Sequence, residues 1–170
     1  MSPQKKSPKA KAKKSKVTTP SGIEIANNDA IPDEHHVTRY VSWSKVARDK
    51  DGNASGVLWK AFALRPDETS LSASWNEFYS GTASAQFGGA VAQYREKFDV
   101  KPKDVFAVSR IEKIKELGRA HKQNIRVYFS PSSFLPSHAS ISRLGEGGQA
   151  LSEALAVEGV EFWRQNSKIP

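Results

Sequence analysis

The sequence contains no cysteine and a single methionine. The absence of thiols excludes disulfides and thiolate metal sites, and it leaves the redox state of the compartment open. No apolar run approaches the roughly 20 residues of a membrane-spanning helix, and the basic N-terminus is not followed by the apolar segment of a signal peptide. We therefore expect no membrane partner and a cytoplasmic location, with association to a bacterial nucleoid as the alternative.

Acidic residues are absent from the first 20 positions, which carry seven lysines and no arginine. Removing these lysines from the 26 basic residues leaves 19 basic against 18 acidic residues, so the net charge of +8 belongs almost entirely to this segment. A segment this polar cannot bury a core, and we predict a disordered Lys-rich tail over residues 1–29 and one compact domain over residues 30–168. The predicted partner of the tail is the phosphate backbone of DNA or RNA, bound by Lys5, Lys6, Lys9, Lys11, Lys13, Lys14 and Lys16.

Two short repeats in this tail, SPQKK at residues 2–6 and SPKAK at residues 7–11, resemble the SPKK-like repeats of linker-histone tails. The resemblance implies binding along DNA, with a preference for narrow, A·T-rich minor grooves. The lysines by themselves imply salt-sensitive binding without sequence preference, because each lysine that meets a phosphate releases a condensed counterion. A solubilising or linker segment is the alternative interpretation.

The first part of the domain predicts a hairpin followed by a short helix. Residues 36–41 are rich in β-branched and aromatic side chains and predict a strand, with His36 and Arg39 on opposite faces. Asp51 and Gly52 predict a turn, and residues 57–64 the returning strand. Residues 74–77, SWNE, fit a capping box and predict a short helix, with a loop following over residues 81–89.

The second part alternates between helical and strand patterns. Phe87, Val91, Tyr94 and Phe98 recur at helical spacing, as do Ile111, Ile114 and Leu117, and a last helix is predicted to end at Gly159. Strands are predicted at residues 105–108, 124–130 and 160–163, with residues 139–142 as a further strand or a connector. We expect an α+β fold: a single domain with a mixed β-sheet and helices mainly on one face, preceded by the disordered basic tail.

The four histidines are the candidates for a metal or catalytic site. No zinc-binding spacing is present, and adjacent histidines on a strand point to opposite faces, so we predict neither a metal nor a cofactor. A metal-free site would use His36 and His138 as acid and base and Arg39 as an anchor for phosphate or carboxylate. In the plainer alternative, His138 binds its own loop and Arg39 pairs with Asp33 or Glu34.

Three of the four tryptophans lie between residues 43 and 75. Aromatic side chains close to histidine and arginine are what a base-stacking platform requires, whereas core packing is the simpler explanation for most of them. We expect Trp43 and Trp75, each flanked by serine, to be the exposed ones.

Three strings between residues 35 and 141, HHVTRY, FALRPDETSLSASW and PSHASI, share a pattern with other proteins. They resemble the motifs HxxRY, FxxRxxExxLSxxW and PxHAxI of a family of small uncharacterised bacterial proteins. The resemblance implies a bacterial origin. It also places the motif positions at His36, Arg39, Arg65, Glu68, Ser72, Trp75 and His138, of which Arg65, Glu68, Ser72 and Trp75 form the predicted ligand or partner surface.

These observations support two hypotheses. In the first, the chain is a non-enzymatic accessory module of a larger bacterial assembly, tethered to nucleic acid by its tail and bound to a protein partner through its near-neutral domain. In the second, it is a small enzyme that acts on a nucleotide or another phosphate-bearing substrate through the His/Arg site. A structural or virion-associated role for the tail is a weaker third interpretation.

Overall fold

The computed structural model describes residues 14–170. The strands are β1 Lys16–Thr18, β2 Glu24–Ala26, β3 His36–Val41, β4 Val46–Arg48, β5 Ala54–Val57, β6 Ser70–Trp75, β7 Val105–Arg110, β8 Arg126–Phe129, β9 His138–Ser142 and β10 Phe162–Gln165. The helices are α1 Ala83–Lys97, α2 Ile111–Ala120 and α3 Gly148–Ala154, the last continuing as a π-helical turn over Leu155–Gly159.

Six strands form the central sheet in the order β10-β7-β3-β6-β9-β8, and each of their pairings is antiparallel. The β1-β2 and β4-β5 hairpins form two smaller sheets. The predicted α+β fold is confirmed. Strand β3 lies in the middle of the large sheet, and its side chains therefore meet the layers on both faces.

Two helices cover one face of this sheet. The alternate residues Val37 and Val41 of β3 are 1% exposed and belong to the main core. The apolar stripe of α2 packs into the same core through Ile111, Ile114 and Leu117, and α3 adds Leu151. The helical spacing predicted for α2 is thus confirmed, because the residues three and six positions apart are the buried ones.

Helix α1 covers the opposite face. Its buried residues Val91 and Tyr94 pack on Phe106 of β7, and the Tyr94 hydroxyl donates to the carbonyl of Thr38 at 3.2 Å. His36, Thr38 and Tyr40 alternate with the valines of β3 and therefore point to this side. Helix α1 therefore covers the sheet face that carries His36, and the candidate site lies between the helix and this face.

The folded chain begins earlier than the predicted boundary at residue 29. Val17 in β1 is opposite Ile25 in β2, and Ile25 and Ala26 are buried in the core. Thr19 is 4% exposed and receives a hydrogen bond from the Ile23 amide. The tail assignment is therefore wrong for residues 16–29. The many lysines of the segment predicted a disordered tail, but the β2 residues bury apolar surface in the core.

Three predicted elements in the middle of the chain are also corrected. Residues 57–64 do not form one strand: β5 ends at Val57 and a 3-10 turn follows over Trp59–Phe62. Residues 74–77 do not form a capping box, because Ser74 lies buried in β6 and its hydroxyl contacts that of Ser137; the short helix predicted there is a 3-10 turn over Asn76–Phe78. The N-cap is instead Thr82, whose side chain accepts from the Ala85 amide, so α1 occupies most of the predicted loop.

Candidate functional site

A pocket of about 610 Å³ lies between the start of α1 and the sheet face formed by β3, β7 and β10. We call it the His36 pocket. Its floor includes His36 and Val108, and its outer wall includes Phe162 of the edge strand β10. Phe87 of α1 meets Phe162 edge-to-face with 5.4 Å between ring centroids, which closes one side of the pocket. The volume is within the range typical of small-molecule sites.

Glu77 holds His36 by two contacts. One carboxylate oxygen accepts the backbone amide of His36 at 2.8 Å, and the other lies 2.7 Å from the ring Nδ1. The side chain of Glu77 is only 17% exposed, so both of its contacts with His36 are shielded from water. Because Glu77 accepts from Nδ1–H, the neutral ring carries its lone pair on Nε2.

Glu161 approaches the other nitrogen of the same ring. Its Oε2 lies 3.2 Å from Nε2 of His36, and its side chain is 54% exposed at the rim of the pocket. A lone pair on Nε2 and a carboxylate oxygen cannot form a hydrogen bond without a proton between them. This contact therefore needs one proton, carried either by Nε2 or by Glu161, which is the arrangement of an acid–base pair.

Two cations lie at the same pocket. Arg164 of β10 and Lys168 both line it, and the Arg164 guanidinium lies 5.3 Å from the Phe162 ring centroid. The wall made by residues 166–170 is held by Arg95 of α1, which donates to the side chain and carbonyl of Asn166 and to the carbonyls of Ile169 and Pro170. The pocket thus places a proton-transfer pair beside two cations, which are contact points for an anionic group of a substrate.

Arg39 lies in a separate pocket of about 420 Å³, which we call the Arg39 pocket. The pairing of β3 with β6 consists of Val37 with Trp75 and Thr38 with Ser74, and Arg39 follows directly. Its guanidinium occupies the space beyond this pairing and donates to the carbonyls of Ser72 and Ala61. The expected ion pair with Asp33 or Glu34 does not form: Lys115 binds Asp33, and the partners of Arg39 are neutral.

His138 does not join either pocket. Across the sheet, His138 is opposite Ser74 and Ser74 is opposite Thr38, so His138 and Arg39 point to opposite faces. Its Nδ1 lies 2.7 Å from the Ser130 hydroxyl and 3.0 Å from the Ser130 carbonyl. Burial lowers the pKa of His138, which favours a neutral, structural imidazole. The predicted catalytic set of His36, Arg39 and His138 therefore does not converge.

The four residues predicted as a ligand or partner surface are divided. Arg65, Glu68 and Ser72 line the Arg39 pocket. Trp75, in contrast, is 0% exposed, so its predicted exposure is wrong. Its indole nitrogen donates to Nδ1 of the half-buried His35 at 3.1 Å. The flanking serines did not indicate a surface position, because Ser74 is itself buried in β6.

Of the seven lysines assigned to phosphate contacts, Lys5, Lys6, Lys9, Lys11 and Lys13 lie outside the described residues. Lys14 and Lys16 are exposed at the start of the fold. Lys14 Nζ lies 3.3 Å from a carboxylate oxygen of Asp29, an exposed ion pair that a competing phosphate can replace.

Glu77, Glu161 and Arg164 were not among the site residues predicted from the sequence. Glu77 was assigned to a helix cap, and Glu161 and Arg164 flank a short apolar segment that indicated only an edge strand. A weak signal exists in the alternation of β10, where Phe162 and Arg164 lie two positions apart and so share a face. No local pattern connects either glutamate to His36, because the contacts form only when the sheet assembles.

Comparisons with protein-family models, with curated proteins and with solved structures found no match for this chain. Across residues 14–170, no group of three or more histidine, aspartate or glutamate side chains is placed to hold a metal ion. The same residues include no helix with the length and apolarity needed to cross a bilayer.

Proposed function

We propose that this chain is an accessory module of a larger bacterial assembly, tethered to DNA or RNA by its N-terminal lysines. The observation that carries the proposal is the segregation of charge: seven lysines and no acidic residue in the first 20 positions, and near-neutrality in the remainder. A domain of balanced charge does not have the strongly basic surface that favours nucleic-acid binding, and it is suited to binding a protein partner.

The tether predicts that five lysines carry most of the salt dependence of binding. In the full chain, glutamine would replace Lys5, Lys6, Lys9, Lys11 and Lys13. We expect the slope of log affinity against log salt concentration to fall by about 4 to 5 for duplex DNA, since each phosphate contact contributes roughly 0.9. Fluorescence anisotropy of labelled DNA and RNA at several salt concentrations measures this slope.

The matched control replaces five exposed lysines of the domain by glutamine: Lys50, Lys60, Lys101, Lys103 and Lys122. This variant has the same net charge as the first, and we expect it to keep most of the wild-type slope. Equal losses in the two variants would contradict a tether. A truncation starting at Ser21 is unsuitable, because it removes β1 and the buried Thr19.

A second candidate function, acid–base catalysis on a phosphate-bearing substrate, is favoured by the geometry of the His36 pocket. Glu77 orients the ring, and Glu161 withdraws from Nε2 with the shared proton, so that Nε2 can take a proton from the attacking water as general base. The hydroxide bonds to phosphorus as the ester P–O bond breaks, and Glu161 gives its proton to the leaving alkoxide. Arg164 and Lys168 supply the positive charge for the substrate anion. The chemistry supported is hydrolysis of a phosphate ester by an activated water molecule.

This candidate predicts measurable hydrolysis of bis(p-nitrophenyl) phosphate or p-nitrophenyl phosphate by the full chain. Replacing His36 by glutamine is expected to reduce the rate by about 100-fold or more, because the general base is lost. The matched control is His121→Gln at the C-terminal end of α2, where the ring forms a hydrogen bond with the Leu117 carbonyl of its own helix. Absence of hydrolysis, or equal rates in both variants, would exclude this function for these substrates.

A further inference from the structure

The guanidinium of Arg39 forms no salt bridge among residues 14–170, and Glu68 is the nearby carboxylate that favours its charged form. Its two hydrogen-bond acceptors are the carbonyls of Ser72 and Ala61, and its Nε is buried without a partner in the described part of the chain. Residues 1–13 contain no aspartate or glutamate, so they bring no side-chain carboxylate to it. Arg39 is half-buried, and its terminal nitrogens keep N–H donors beyond the two that these carbonyls accept. A partly buried charge is stabilised by an opposite charge in contact with it.

Two further cations line the same pocket. Lys45 is half-buried and has no carboxylate within 4.0 Å among residues 14–170. Burial lowers the pKa of Lys45, and the nearby Arg65 and Arg39 lower it further. Arg65 is paired with Glu68, whose Oε1 lies 3.6 Å from the Arg65 Nε. Three cations and one carboxylate therefore leave the pocket with two positive charges in excess.

The lining of the Arg39 pocket limits the size and kind of ligand. Tyr40 and Phe98 stack with 6.2 Å between their ring centroids and form an aromatic side of the cavity. Arg39 provides a planar guanidinium with paired donors, and Lys45 provides a point charge. Proteins use both groups to bind phosphate. A phosphate monoester carries a charge of about −1.5 to −2 at pH 7, which matches the excess, whereas a carboxylate or a phosphodiester carries only −1.

We propose that the Arg39 pocket binds the terminal phosphate group of a small phosphorylated ligand. The site is distinct from the lysine segment, which contacts phosphodiesters, and from the His36 pocket, which lies nearer the other end of β3. The two carbonyl contacts of Arg39 hold the guanidinium in place before the ligand arrives, so the anion meets a preformed site.

The test measures binding of three anions to the full chain by isothermal titration calorimetry at constant ionic strength and pH 7.5. The protein carries glutamine at Lys5, Lys6, Lys9, Lys11 and Lys13, so that these five lysines contribute nothing to the result. We expect inorganic phosphate to bind at least about tenfold more tightly than dimethyl phosphate or acetate, because only phosphate is a dianion at this pH. Equal affinities for the three would overturn the proposal.

Two variants locate the site. Lys45→Met and Arg65→Met are each expected to weaken phosphate binding by about tenfold, since each removes one charge-assisted contact. The matched control Lys50→Met removes the same charge from the exposed β4-β5 turn and is expected to bind phosphate as the parent does. Arg65 has a side chain that is 71% exposed, so its replacement leaves the fold intact even if the Lys45 variant is destabilised. Phosphate binding unaffected by the Arg65 change, or weakened equally by the Lys50 change, would overturn the assignment to this pocket.

Discussion

Replacing Trp75 by alanine is expected to lower the free energy of unfolding by about 3–5 kcal/mol, which is the usual loss for a fully buried large aromatic residue. The indole is 0% exposed and meets Phe129 and Phe78 edge-to-face at 5.7 and 6.2 Å between ring centroids. Its removal also leaves Nδ1 of His35 without its donor. Urea denaturation followed by far-ultraviolet circular dichroism gives the change in midpoint and slope.

Two companion variants separate the contributions to this loss. Trp75→Phe keeps most of the apolar volume but removes the indole N–H, and we expect it to lower the stability by about 1–2 kcal/mol. Trp59→Ala, at a half-buried position, is expected to have a smaller effect than Trp75→Ala. A Trp75→Ala protein that unfolds at the wild-type urea concentration would contradict the central place of this side chain in the core.

Replacing Asp104 by alanine is expected to lower the stability by about 3 kcal/mol or more, because three donors lose a charged acceptor together. The carboxylate is 2% exposed. It accepts the Tyr40 hydroxyl at 2.6 Å and the backbone amides of Trp43 and Lys101 at 2.8 Å. Burial, followed by the bond to Asp104, raises the pKa of Tyr40 well above its ordinary value, so the phenol stays a donor.

The matched control for this prediction is Asp99→Ala. Asp99, like Asp104, precedes β7; its side chain is 82% exposed and forms a surface ion pair with Lys101. We expect a change within about 0.5 kcal/mol, which is typical of exposed positions. If the two aspartate variants unfold at the same urea concentration, Asp104 does not link β7 to the segment after β3 as the hydrogen bonds indicate.

Elements with a strong local period could be predicted from the sequence. The alternation in residues 36–41 predicted which side chains of β3 share a face, and the spacing of Ile111, Ile114 and Leu117 predicted the buried side of α2. These patterns succeed because one face of each element must be removed from water, and that requirement is written in consecutive residues.

Elements whose local signal had two meanings were predicted less well. The SWNE string satisfies the composition of a capping box, but Ser74 and Trp75 lie buried at the end of β6, and a 3-10 turn begins only at Asn76. The N-terminal boundary failed for a related reason. The lysines make the N-terminal segment polar on average. Ile25 and Ala26, which pack into the core, are too few to change that average.

Local period and composition were enough to predict the α+β class, the two faces of β3 and the segregation of positive charge into the N-terminal segment. The grouping of the candidate residues, in contrast, depends on contacts that form when the sheet assembles. Glu77 reaches His36 across 41 positions because β6 pairs with β3, and Glu161 reaches the same ring because residue 161 directly precedes β10 at the sheet edge. Arg39 is separated from His36 and its two glutamates for two reasons. His36 and Arg39 are three positions apart on a strand and so point to opposite faces, and the pairing of β3 with β6 ends before Arg39.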